Sequence, residues 1–222
     1  VITYNAAISA CKKGAQWAQA LHLLCELLES NIEPATVSYN AAISACQKAA
    51  QWEQALHLSD ELRNSILEPD VITYSAVVSA CEKGEQWMMA LHVLGDLIRT
   101  NLTPDVIICN AAISACEKGA QWAQALHLLG ELQQRKIEAT VITYNAAISA
   151  CGKDGQWQQA LALLAEFARN GIESDVIIYN AVISASAKAG EWQHAASLLA
   201  EMQRIGLQPT VITYSAAISA WR

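Results

Sequence analysis

Phenylalanine occurs once in this 222-residue chain, and aromatic residues together make up only 6%. The 53% hydrophobic content must therefore come mainly from Ala, Leu and Ile, side chains that let helix axes approach closely. No apolar run approaches the roughly 18 residues of a membrane-spanning helix, so no membrane partner is expected. No stretch alternates with period two, so no strands are expected. The seven cysteines contain no CxxC pair, and neither a metal site nor a cofactor is expected. Positive charge is scarce as well. Fourteen Lys and Arg face 21 Asp and Glu, a net charge of −7 with a pI near 5.2, which is unusual for a nucleic-acid binder.

What the chain has is repetition. YNAAISAC at Tyr4 returns at Tyr39, becomes YSAVVSAC at Tyr74 and CNAAISAC at Cys109, then continues from Tyr144, Tyr179 and Tyr214. The interval is always 35 residues. A period of this size marks a solenoid, in which one small helical unit is stacked on copies of itself because it cannot bury its own apolar face. The units are residues 1–35, 36–70, 71–105, 106–140, 141–175 and 176–210, with a partial repeat at 211–222. The absence of an initial Met and the stop inside a seventh repeat suggest an excerpt from a longer array.

Within residues 1–35, Tyr4, Ala7, Ile8 and Cys11 lie at i, i+3, i+4 and i+7, the pattern of an amphipathic helix. Lys12-Lys13-Gly14-Ala15 breaks it, with Gly again at 84 and 119 and one place later at 155 and 190. Trp17, Ala20, Leu21, Leu24 and Leu27 face one way on a second helix, and Trp17 is positioned to wedge between neighbouring pairs. Pro34 helps end the unit, as do Pro69, Pro104 and Pro209. Cys11, Cys46, Cys81, Cys116 and Cys151 share one position, replaced by Ser186 and Trp221, and read as small buried thiols. His22, His57, His92 and His127 also share a position and are expected to pack between repeats. The acids Glu26, Glu61, Asp96, Glu131, Glu166 and Glu201 are expected on a solvated outer face.

A second phase of the first helix is not core. At 100° per residue, positions 2, 5, 9 and 13 span roughly 80° of one flank. Its first row is Ile2, Val37, Ile72, Ile107, Ile142, Ile177 and Ile212. The next row is Asn5, Asn40, Ser75, Asn110, Asn145, Asn180 and Ser215, followed by serines beginning at Ser9. The last is Lys13, Lys48, Lys83, Lys118, Lys153 and Lys188. A lysine in a final helical turn also suits the helix dipole. Position 12, however, drifts through Lys12, Gln47, Glu82, Glu117, Gly152 and Ala187 while its neighbour stays Lys. Stacked, the flank becomes a groove suited to a single-stranded nucleic acid, with apolar groups sandwiching bases, amides bonding their edges and lysines meeting phosphates. A protein-binding scaffold is the alternative, and it would suit the acidic character.

The 35-residue period, the VITYNAAISAC–K opening, the A-L-x-L-L-x-E-L second helix and the I-x-P-D ending resemble the pentatricopeptide repeat family over the whole chain. The wording is similar to dinoflagellate algal members. The resemblance implies an all-α fold, a right-handed superhelix of helix-turn-helix pairs. It also implies sequence-specific binding of single-stranded RNA, one base per repeat, in a plastid or mitochondrion, where such proteins edit, splice, stabilise or process transcripts, with other RNA-processing proteins as further partners. In that family the fifth and last residues of a repeat read the base while the second sandwiches it. The implied reading pairs are Asn5 with Ala35, Asn40 with Asp70, Ser75 with Asp105, Asn110 with Thr140, Asn145 with Asp175 and Asn180 with Thr210. The family's rules then imply 5′-pyrimidine-U-G-C-U-C-3′. Each of Asp70, Asp105 and Asp175 also stands where an Asp caps the next helix. The catalytic extensions known in the family need H-x-E with C-x-x-C, or clustered aspartates. Neither occurs in residues 1–222, so this segment is not expected to be an enzyme.

Overall fold

The computed structural model describes residues 2–30, 34–171 and 175–220, so the replacement of the thiol by Trp221 lies outside the described residues. Among the described residues thirteen α-helices account for the regular structure. The first helices of successive repeats are α1 (Ile2–Lys13), α3 (Thr36–Lys48), α5 (Val71–Lys83), α7 (Val106–Lys118), α9 (Val141–Lys153), α11 (Val176–Lys188) and α13 (Val211–Ser219). The second helices are α2 (Trp17–Glu29), α4 (Trp52–Asn64), α6 (Trp87–Arg99), α8 (Trp122–Gln134), α10 (Trp157–Arg169) and α12 (Trp192–Arg204). The chain divides into two compact units, Val1–Ala115 and Cys116–Arg222.

In the first unit α1, α3 and α5 stack on one another, and in the second α9, α11 and α13 do the same. Each even-numbered helix α2, α4, α10 and α12 packs on its own partner and on the first helix of the next repeat. Small residues permit the close stacking: Ala42, Ala45, Ala80, Ala147 and Ala150 are fully buried. At Gly152 the approach is so tight that a Cβ would lie 2.8 Å from the Ala181 carbonyl oxygen. The second helices supply bulk through Leu27, Leu62, Leu97, Leu132, Phe167 and Met202, all buried at one repeat position. Position 23, absent from the sequence-derived core, is buried too, as Leu58, Val93, Leu128, Leu163 and Leu198.

Trp52 and Trp157 reach the next repeat as expected, whereas Trp192 is 49% exposed. The Trp52 ring lies against Gly84 of the next unit, where a Cβ would sit 2.9 Å from Trp52 Cγ and closer still to Cδ1. Trp157 meets His194 with ring centroids 4.5 Å apart. The glycine at position 14 is therefore needed for clearance at Gly84, not for a left-handed turn. The residue with positive φ is the next one: Ala15, Ala50, Glu85 and Ala120 have φ of 53–58°, and only Gly155 and Gly190 place glycine there. Cys46, Cys81, Cys116 and Cys151 are fully buried, and burial pushes each thiol up to about 11.

Two expectations fail. The histidines do not pack between repeats: the His22, His57 and His92 side chains are 63–73% exposed. They pair instead at i+4 with Glu26, Glu61 and Asp96, at 3.4, 3.6 and 3.7 Å. Nor is the acidic row simply solvated. Asp96 is buried and ion-paired with Arg63 of the preceding repeat at 3.1 Å and with Arg99. Glu166 accepts the Tyr144 hydroxyl at 2.7 Å and the Gln133 amide. Asp96 and Glu166 thus occupy seams where the second helix meets neighbouring side chains, whereas Glu26 and Glu61 are 45% and 44% exposed and pair within their own helix.

Candidate nucleic-acid interface

The flank of the first helices is set by their start points. Asp70 Oδ1 accepts the Thr73 backbone N–H at 2.8 Å, Asp105 Oδ1 that of Ile108 at 2.9 Å, and Asp175 Oδ1 that of Ile178 at 2.8 Å. Thr140 and Thr210 make the same contact with Thr143 and Thr213 at 3.4 Å. These are N-caps, and they fix the rotation at which each helix begins. Ala35 caps nothing with its side chain.

That rotation turns the second residue of each repeat outward. Val37, Ile72, Ile107, Ile142, Ile177 and Ile212 are 60–66% exposed, and Ile2 is 88% exposed. Single exposed apolar residues are ordinary, but branched side chains exposed at one phase of every repeat are not. Three residues further on, the polar row is sunk deeper. Asn5, Ser75, Asn110, Asn145 and Asn180 are half-buried and Asn40 is buried.

In two repeats the fifth and last residues meet. Asn40 Nδ2 donates to Asp70 Oδ1 at 3.0 Å, and Asn145 Nδ2 to Asp175 Oδ2 at 3.3 Å. A carboxylate only accepts, so the amide must turn its NH2 toward it. Burial pushes the Asp70 carboxyl up, but the Thr73 N–H, the Thr73 hydroxyl and the Asn40 amide outweigh it and hold the group below the usual carboxylate range.

A third participant escaped the sequence reading. The third residue of the next repeat donates its hydroxyl to the same amide: Ser38 to Asn5 Oδ1 at 2.5 Å, Thr73 to Asn40 Oδ1 at 2.6 Å and Thr213 to Asn180 Oδ1 at 2.6 Å. Ser38, Thr73, Thr143 and Thr213 are fully buried, and a recurring hydroxyl at a core phase was the available signal. Ile108 and Ile178 stand at this position in two repeats.

The lysine row is exposed from Lys13 through Lys48, Lys83, Lys118, Lys153 and Lys188. At least two members also serve the stack. Lys153 Nζ donates to the Glu117 carbonyl at 3.0 Å and lies 3.2 Å from its carboxylate, and Lys188 Nζ donates to the Lys153 carbonyl at 2.8 Å. Each ammonium thus sits on the last turn of the preceding first helix, where carbonyls lack partners and the dipole favours a cation. At Lys153 and Lys188 the lysine beside the drifting position 12 therefore also has a structural role.

Helical hairpins stacked at a constant interval, exposing one apolar-and-amide phase of their first helices, define an all-α superhelical repeat protein. The pentatricopeptide repeat domain matches residues 1–49, 92–154 and 162–222, the PPR repeat family residues 34–83, and the PPR repeat residues 72–102 and 142–172. The chain belongs to the pentatricopeptide repeat family. Among solved structures it is similar to the pentatricopeptide repeat protein PPR10 from maize, with 25% identity and a TM-score of 0.68 over 98% of this chain and 31% of that one. The chain therefore spans about a third of the maize protein's length. PPR10 in complex with an 18-nt psaJ RNA element matches at 17% identity and a TM-score of 0.51, over 99% of this chain and 42% of that one. The PPR domain of Arabidopsis thaliana protein-only RNase P 1, in complex with tRNA, matches at 13% identity and a TM-score of 0.69, over 80% of this chain and 94% of that one. At such identities these two show the fold alone. No curated protein sequence matches the chain.

Proposed function

We propose that this array binds single-stranded RNA, one base per repeat, through the exposed flank of its first helices. The observation that carries the reading is the pairing of Asn40 with Asp70 and of Asn145 with Asp175 beside the outward Ile72 and Ile177. A branched apolar group on either side of a base would sandwich it, and the amide would meet its edge. An Asn amide has two N–H groups, so one stays available to a uracil carbonyl after the other is given to Asp. The family's known RNA complexes, of which the maize protein with its psaJ element is one, support the same ligand class.

The reading pairs are assigned as Asn5/Ala35, Asn40/Asp70, Ser75/Asp105, Asn110/Thr140, Asn145/Asp175 and Asn180/Thr210, giving the target 5′-pyrimidine-U-G-C-U-C-3′. Ile2, Val37, Ile72, Ile107, Ile142 and Ile177 form the sandwiching row. Lys13, Lys48, Lys83, Lys118, Lys153 and Lys188 meet the phosphates, the net negative charge being carried elsewhere on the repeats. The role is binding in support of RNA processing, stabilisation, splicing or editing in a plastid or mitochondrion. Selection of the chain against a randomised single-stranded RNA pool, with a DNA pool alongside, tests it. Enrichment of a U-G core in RNA is expected. Enrichment of nothing would give the lead to the protein-scaffold alternative.

A further inference from the structure

Asn40 and Asn145 have the same partner residue at the end of their repeats, yet they are not held alike. Asn40 is fixed at both ends of its amide, by Asp70 on nitrogen and by the Thr73 hydroxyl on oxygen. Asn145 is fixed only by Asp175 through its nitrogen, at 3.3 Å. Its oxygen is buried and has no hydrogen-bond partner. The hydroxyl's place is taken by Ile178, fully buried and unable to donate. A buried carbonyl without a donor is costly, and the cost is relieved if the amide turns its oxygen outward.

We infer that the third residue of each first helix is a positioning residue for the base-reading amide of the repeat before it. Ser38, Thr73 and Thr213 hold Asn5, Asn40 and Asn180, whereas Ile178 leaves Asn145 loose. The inference rests on the RNA-reading assignment above. A held amide presents an N–H toward the base and favours a carbonyl acceptor, as on uracil. A loose amide, held only by the 3.3 Å bond to Asp175, can give up that bond, present its oxygen instead and accept the amino group of cytosine. The second repeat therefore discriminates uracil from cytosine sharply, and the fifth discriminates poorly, although both carry Asn and Asp at the reading positions.

The test compares RNA hexamers with U or C at the second or the fifth letter, bound to the wild-type chain and to Thr73→Val, Thr73→Ser and Ile178→Thr. One hydrogen bond typically changes an equilibrium by roughly three- to tenfold. The U/C ratio at the second letter should exceed that at the fifth by about that factor. Thr73→Val should collapse the former, Thr73→Ser should preserve it, and Ile178→Thr should raise the latter, with ratios at other letters unmoved. Equal ratios that none of the variants shifts would overturn the inference. Side-chain amide NMR of the RNA-free chain gives a second readout. Slowed NH2 rotation is expected for Asn40, and for Asn145 only in Ile178→Thr. If no RNA letter matters, the function assigned above fails while this readout still decides the positioning role; identical Asn40 signals in wild type and Thr73→Val would refute it.

Discussion

Replacing Asp70 by Thr separates the two roles that converge on one residue. Asp70 accepts the Thr73 N–H at 2.8 Å and the Asn40 amide at 3.0 Å, with the Thr73 hydroxyl oxygen, whose shorter bond is to Asn40, 2.9 Å away. Thr140 and Thr210 show that threonine can start the same helix, with a longer 3.4 Å cap. Threonine ranks slightly below Asp as a cap, and losing a cap entirely costs about 1 kcal/mol. Loss of the charge at a helix N-terminus adds about 0.3–1 kcal/mol. Asp70→Thr should therefore lower unfolding free energy by about 1 kcal/mol or less in urea titrations, and Asp70→Ala by about 1–2 kcal/mol. Its effect on RNA should be selective. A hydrogen bond to a charged group is worth roughly 1.5–3 kcal/mol, about tenfold or more in preference. Preference at the second letter should shift from U toward C by that order, with the other letters unchanged. Equal loss of affinity for every RNA would leave capping as the only role of Asp70 and refute its assignment as a reader.

The remaining expectations concern turns, thiols and salt. Ala50→Gly removes a left-handed alanine, whose strain is roughly 1–2 kcal/mol, and should raise stability by about 1 kcal/mol after the flexibility of glycine is counted. Gly84→Ala should destabilise, because its methyl would run into the Trp52 ring, and a gain in stability would contradict that packing. The thiols of Cys46, Cys81, Cys116 and Cys151 should resist alkylation in the native chain while exposed Cys25 reacts. Their pKa is raised on folding, so the native state holds protons that the unfolded chain releases. Stability is then present below the ordinary thiol value near 9.0 and lost as pH rises toward about 11. Alkaline denaturation should shift upward when Ser replaces these cysteines. Six lysine–phosphate contacts would give a log–log salt slope of about −4, and retention of Lys153 and Lys188 on their carbonyls would reduce it to about −3. A flat response would remove the lysines from the interface.

The amino-acid sequence alone determined the repeat, its helical hairpins and the separation of a core phase from an outward phase. These follow from residues three, four and 35 positions apart, patterns that local geometry and stacking impose on any such chain. The exposed Ile72 and Ile142 and the buried Cys81 and Cys151 stand where the spacing put them. What the spacing left out joins one repeat to the next. The Thr73 hydroxyl on Asn40, Arg63 on Asp96 and Lys188 on the Lys153 carbonyl each bridge adjoining units. Helical periodicity says which way a side chain points but not which neighbour's atom it meets, because that depends on the distance and rotation between stacked hairpins. For the same reason His22 and His57 fell outside the packing expected of them. Tertiary structure also decided that two identical Asn–Asp pairs differ: Thr73 secures one amide, and Ile178, through a donor it does not have, leaves the other oxygen bare.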